Sequence, residues 1–170
     1  MTDKPTKTRR RTKAARELKV NEEKWSTELI EAGFTVFPSV ILQRQKALGL
    51  DPLDVNILLY LSTYWWTAEG LPHPSKKTIA EAVGRDARTV QRRIAAMESA
   101  GFIERIERRD SKYGSKSNIY KFDGLIKAAK PYAREVIEAR RDKEAERKAA
   151  AARKRARSTL PPEPEAEEDE

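Results

Sequence analysis

Arg88, Thr89, Gln91 and Arg92 are the residues here whose types and spacing point most directly to chemistry, and that chemistry is recognition. They fall on one side of a helix whose other side carries Val90, Ile94 and Met97, four and three residues apart. On a helix lying in a major groove, arginine can donate twice to a guanine edge and glutamine can pair with adenine. Arg93 adds to the same outer face, and Lys76, Lys77 and Arg85 sit near helix starts, where cations suit phosphates. Catalysis finds no comparable set. The chain holds no Ser/His/Asp or Cys/His arrangement, no glycine-rich phosphate loop and no acidic cluster at metal-ligand spacing. Paired acids such as Glu22–Glu23 and Glu163 with Glu165 lie in polar segments, where nothing would perturb them. His73, the only histidine, has no ligand partners at metal spacing and is expected to pack beside Ser75. With no cysteine, disulfides and thiolate chemistry are excluded. The expectation is a protein that is not an enzyme and has no metal, no cofactor and no small-molecule ligand.

The positioning elements are legible around these residues. Ser75 can cap a first helix, Ile79, Ala80 and Val83 form its inward stripe, and Gly84 suits a left-handed end. Asp86 can cap the second helix, 87–100, and Gly101 can close it. Helix, turn, then a helix with an arginine-rich outer face is the helix-turn-helix pattern. After Gly101, Phe102, Ile103 and Ile106 alternate with charges, and Ile119, Tyr120 and Phe122 follow a polar tip. The spacing predicts a β-hairpin over 102–122, a basic wing bearing Arg105, Arg108, Arg109, Lys112, Lys116 and Lys121. Arg108, Arg109, Lys112 and Lys116 are its candidate phosphate contacts.

Upstream, Asp51-Pro52-Leu53-Asp54 is a strong helix start, and the following VNILLYLSTYWW is apolar almost all round. It is expected to be the central helix, with Trp65 and Trp66 favoured as core over a dimer interface. Trp25, Leu29, Ile30 and Phe34 predict a short helix ending near Gly33, and a further helix is expected from Ser39 to Gly49.

Charge is unevenly distributed within a net +8. Residues 20–74 are net acidic and 75–121 net basic, so positive charge gathers on the candidate motif and the segment after it. Residues 1–21 predict a disordered basic arm, either a solvated tail or a phosphate-following segment. Residues 22–130 form the domain. Residues 131–157 predict a basic charged helix, interrupted from what precedes it at Pro131, and 158–170 an acidic, proline-rich disordered tail. The fold class expected is mainly α with a small β-hairpin. No run of eighteen apolar residues exists, so no membrane span is expected, and neither is a secretory signal. The expected location is cytoplasmic, on the nucleoid.

The stretch PSKKTIAEAVGRDARTVQRRIAAMESAGFIERIERR, followed by SKSNIYKFDGL, resembles the winged helix-turn-helix domains of bacterial, phage and plasmid proteins. In those a "PS..TIA...G...RTVQR.I..LE..GFI.R" run precedes a wing ending in "SN.Y". The resemblance covers residues about 36–127 and implies sequence-specific double-stranded DNA binding through Arg88, Thr89, Gln91 and Arg92. The usual serine cap before the recognition helix is Asp86 here, which keeps the cap but sets an acid near the DNA. The family includes transcription regulators and replication initiators. A transcription regulator binding a palindrome as a homodimer is the first expectation. A replication initiator or helicase-loading adaptor is the second, and a protein-interaction module the third.

Overall fold

In this computed structural model the chain runs α1 (Lys7–Trp25), α2 (Thr27–Glu31), α3 (Ser39–Gln43), α4 (Pro52–Ser62), α5 (Lys76–Val83), α6 (Ala87–Ser99), β1 (Glu104–Asp110), β2 (Gly114–Lys121) and α7 (Asp123–Ser158). It describes residues 7–110 and 114–158, with side chains from 15–109 and 116–155. The tail 159–170, the arm 1–6 and Lys112 lie outside the described residues.

Asp51 starts the helix on which the core is built. Its carboxylate accepts the N–H groups of Leu53 (2.8 Å) and Asp54 (2.9 Å), while Asp54 accepts the N–H of Asp51 (3.0 Å). This is a reciprocal capping box with Pro52 preset in the first turn. Ile57, Leu58 and Leu61 of α4 are fully buried, joined by Ile79 from α5 and by Val90 and Ile94 from α6. Tyr120, Phe122, Leu125 and Ala129 close the core from the hairpin and α7. The expectation that α4 is central holds.

Its length and its tryptophans differ from expectation. The last turn closes through short backbone bonds, the N–H groups of Thr63, Tyr64 and Trp65 donating to the carbonyls of Tyr60, Leu61 and Ser62, each at 3.1 Å, and the Ser62 and Thr63 hydroxyls add bonds to the carbonyls of Leu58 (2.8 Å) and Tyr60 (2.7 Å). Trp65 turns inward and stacks on Phe122, ring centroids 5.2 Å apart. Trp66 points outward and is 73% exposed, so it is not a core residue.

Three further expectations are corrected. Residues 7–25 are helical rather than disordered, because the stretch after Pro5 holds no glycine or proline and is rich in Arg, Lys, Ala and Glu. That helix breaks at Ser26, whose φ of 79° is left-handed, so the helix foreseen over 22–34 is split between α1 and α2. Finally, α7 runs unbroken through Pro131. Proline forfeits one backbone bond and crowds the preceding turn. Strong helix formers continue on both sides, and Tyr132 packs against the core with the Arg44 guanidinium over its ring at 5.8 Å. Arg44 also meets Glu135 at 3.6 Å.

Gly124 ties α7 to the motif. A Cβ there would sit 1.7 Å from the carbonyl oxygen of Gly101, a clash no side-chain movement relieves. The close approach lets the Leu125 N–H donate to the Phe102 carbonyl at 2.8 Å.

Candidate nucleic-acid interface

The recognition element begins with its caps. The Ser75 hydroxyl accepts the Thr78 N–H at 3.0 Å, so α5 starts where expected, and Gly84 (φ 65°) ends it. Asp86 accepts the Thr89 N–H at 2.8 Å to start α6. The Thr89 hydroxyl and N–H hold the Asp86 carboxyl below its ordinary value, so it stays ionised. At the other end Gly101 (φ 73°) completes the stop, its N–H donating to Glu98 O and that of Phe102 to Met97 O, both at 2.9 Å. The inward stripe Val90, Ile94 and Met97 is buried as the spacing predicted.

That burial fixes which side of α6 faces out. Arg88, Thr89, Gln91 and Arg92, with Ala95, line one shallow groove. Arg88, Gln91 and Arg92 are exposed, while Thr89 is half-buried against its cap. Neither Arg88 nor Arg92 pairs with a carboxylate among the described residues. The four residues expected to read bases therefore share a single surface. From α5, the Lys76 ammonium reaches across to donate to Gln91 Oε1 at 3.1 Å. Lys77 lies 3.9 Å from Glu81 on its own helix, and Arg85 is exposed in the turn between the helices.

Arg93 is not part of this surface. Its Nε donates to Asp54 Oδ1 at 2.8 Å, its terminal nitrogen to Asp54 Oδ2, and the same nitrogen lies 2.6 Å from Asp51 Oδ2. Asp54 is only 2% exposed, so moving Arg93 to a phosphate would strand a buried carboxylate. The geometry gives Arg93 a structural partner where its position had suggested a phosphate contact. Spacing placed it on the outer face, but the pair joins positions 39 residues apart, and no local pattern signals it.

The wing is built as expected, with β1 and β2 antiparallel and a bulge between Ile106 and Arg108. Several of its cations are structural. Arg105 bonds Glu98 through both its backbone N–H (3.1 Å) and its Nε (2.8 Å), clamping the wing to the end of α6. The guanidinium holds the Glu98 carboxyl below its ordinary value. Arg108 reaches across the hairpin to the Ser117 carbonyl (2.8 Å) and hydroxyl (3.0 Å). Ser117 donates onward to the His73 carbonyl at 2.6 Å, and the Tyr120 N–H donates to the Pro72 carbonyl at 2.9 Å. Strand β2 is thereby pinned to the loop leading into α5. His73 contributes its backbone to this seam while its ring stays exposed, so it is not the packing residue expected. Lys121 lies 3.7 Å from Glu104, and Arg109 is exposed 3.4 Å from Glu107. Lys116 is exposed on β2.

Among the described residues no group of three or more His, Asp or Glu is placed to hold a metal ion. None of the described helices is long and apolar enough to cross a membrane.

A protein-family model described as "Helix-turn-helix domain" matches residues 48–103. No curated protein matches the chain. Among solved structures, the DNA complex of MepR from Staphylococcus aureus is 20% identical, with a TM-score of 0.40, over 67% of this chain and 89% of that one. MepR described as a transcription regulator of the multidrug efflux pump MepA is 16% identical, TM-score 0.39, over 92% and 100%. The homodimeric winged helix-turn-helix domain Mb0332 of Mycobacterium bovis is 20% identical, TM-score 0.35, over 64% and 88%. Likenesses this distant carry no argument about function. The matched segment runs from the residue before Gly49 to the residue after Phe102, taking in α4, α5 and α6, and the β1–β2 hairpin follows it at once. The α5–turn–α6 arrangement within residues 48–103 agrees with that match, and the antiparallel β1–β2 hairpin follows it directly.

Proposed function

We propose that this protein binds double-stranded DNA at specific sequences and acts as a transcription regulator, laying α6 in the major groove with the β1–β2 wing on the flanking backbone. One observation carries the reading: Arg88, Thr89, Gln91 and Arg92 line a single groove on a helix held at both ends, by the Asp86 cap and by the Glu98–Arg105 clamp. A reading helix must be held rigidly if its side chains are to meet base edges in register. Arg85, Lys77, Arg109 and Lys116 lie on the exposed surface around that groove, at helix starts and along the wing, and are assigned to phosphates.

The acting species in this proposal is a homodimer on a palindrome. Apolar side chains on and near the N-terminal helices support it: Trp25 is 65% exposed, and Leu29, Phe34 and Trp66 are also open to solvent. The test is a footprint on DNA upstream of the gene encoding the protein, with competitor DNA at physiological salt. Protection of a discrete, two-fold symmetric site is expected, and absence of any sequence preference overturns the proposal.

A further inference from the structure

Lys76 and Gln91 belong to different helices, yet their side chains meet on the proposed reading surface, Nζ to Oε1 at 3.1 Å. The identity of the glutamine atom is fixed by chemistry. An ammonium has three donors and no acceptor, so the atom it bonds must be the amide oxygen rather than the amide nitrogen. The bond therefore sets the orientation of the whole Gln91 amide and leaves its NH2 group as the free end.

We propose that Lys76 holds Gln91 as a donor, so that the base facing this pair is read as guanine rather than adenine; the inference rests on the reading of α6 as the base-reading helix. Recognition of adenine by glutamine needs Oε1 to accept from the N6 amino group while the NH2 donates to N7. Here one of the two Oε1 lone pairs already accepts from Lys76, and what disfavours adenine at the other is the ammonium beside it, which meets the adenine amino group donor against donor. Guanine offers two acceptors, N7 and O6, on the same edge. The Gln91 NH2 and the remaining Nζ hydrogens are two donors side by side to match them. The surroundings agree in sign. Arg88 and Arg92, on the same groove, are donors only. The acids nearby are turned to other partners, Asp86 to the Thr89 N–H at 2.8 Å and Glu81 toward Lys77 at 3.9 Å. Lys76, a phosphate candidate by its position at a helix start, is thereby reassigned as a residue that positions Gln91 and shares its base.

The experiment is selection of bound duplexes from a randomised library by the full chain, followed by sequencing, for wild type, Gln91→Ala, Lys76→Ala and Lys76→Arg. Gln91→Ala identifies the base concerned, as the one position whose preference it relaxes. Wild type is expected to favour guanine there by about tenfold or more. Lys76→Ala frees Oε1 and is expected to turn that position to adenine, leaving the others unchanged. Lys76→Arg, which still donates, keeps guanine. Adenine preferred by wild type at that position overturns the inference. So does a Lys76→Ala variant that binds every sequence more weakly with its preferences intact, the mark of a phosphate contact. Wild type enriching no sequence at all sinks the base-reading role of α6 itself. A wild-type motif indifferent to Lys76→Ala sinks only the role given to Lys76.

Discussion

Replacing Arg93 by alanine separates the two roles its position allows, structural partner or phosphate contact. The guanidinium is the main partner of Asp54, which is 2% exposed, and it also lies 2.6 Å from Asp51 Oδ2. Removing one side of a buried ion pair costs roughly 3–5 kcal/mol, because the other charge is left in a medium that solvates it poorly. Asp54 keeps one donor after the change, the Asp51 N–H at 3.0 Å, which places the loss at the lower end, about 3 kcal/mol. Urea unfolding followed by far-UV circular dichroism reads this as a shift of the midpoint at constant slope. In an Asp54→Asn background the same change is expected to cost only about 1 kcal/mol, a coupling of about 2 kcal/mol between the pair. DNA binding by the folded variant supplies the other arm. A lost phosphate contact lowers the slope of log K against log salt by about one, whereas a structural Arg93 leaves it unchanged. A loss below about 0.5 kcal/mol, together with a reduced salt slope, would refute the assignment.

Three other perturbations test the scaffold of the site. Gly124→Ala drives a methyl against the Gly101 carbonyl and is expected to destabilise by more than the ~1–3 kcal/mol of ordinary overpacking, read by thermal unfolding; a neutral variant contradicts the close approach. Asp86, held below its ordinary 3.8 chiefly by the Thr89 hydroxyl, contributes stability that is fully present above that value and lost as pH falls through the lowered one; Thr89→Val should raise its carboxyl titration in a carbon-13 NMR experiment, and an unmoved titration rejects the hydroxyl contact. Glu98, lowered chiefly by its bond to Arg105, follows the same sign from its ordinary 4.5 downward; Arg105→Ala should raise the Glu98 titration and speed amide exchange in β1, and unchanged exchange means that the wing is held by something else.

What the sequence made legible was local. Ser75, Gly84, Asp86 and Gly101 act within a turn of where they stand, and Val90, Ile94 and Met97 declare their face by spacing alone. The helix-turn-helix, the hairpin and the grouping of Arg88, Thr89, Gln91 and Arg92 therefore emerged with little error. Distant pairings left no such trace. Asp54 reads as a dipole-friendly residue of a first turn, and nothing near it announces a partner 39 positions on. Gly124 looks like any loop glycine until the carbonyl of Gly101 is set against it. The outward turn of Trp66 leaves no trace in the sequence, because an apolar run says how much surface needs covering and not where the backbone bonds of residues 63–65 close the helix. In residues 7–21 high polarity masks a strong helix propensity, and at Pro131 the helix formers on both sides outweigh the proline.

Base reading by α6 is tested most directly by Arg88→Ala combined with Arg92→Ala, with affinity measured on the footprinted site and on competitor DNA at one salt concentration. Each lost base contact is expected to cost about 1–3 kcal/mol on the specific site, with the affinity for competitor DNA falling much less, so that discrimination collapses. An unchanged ratio of specific to competitor affinity, in a variant that folds as wild type does, would contradict the account.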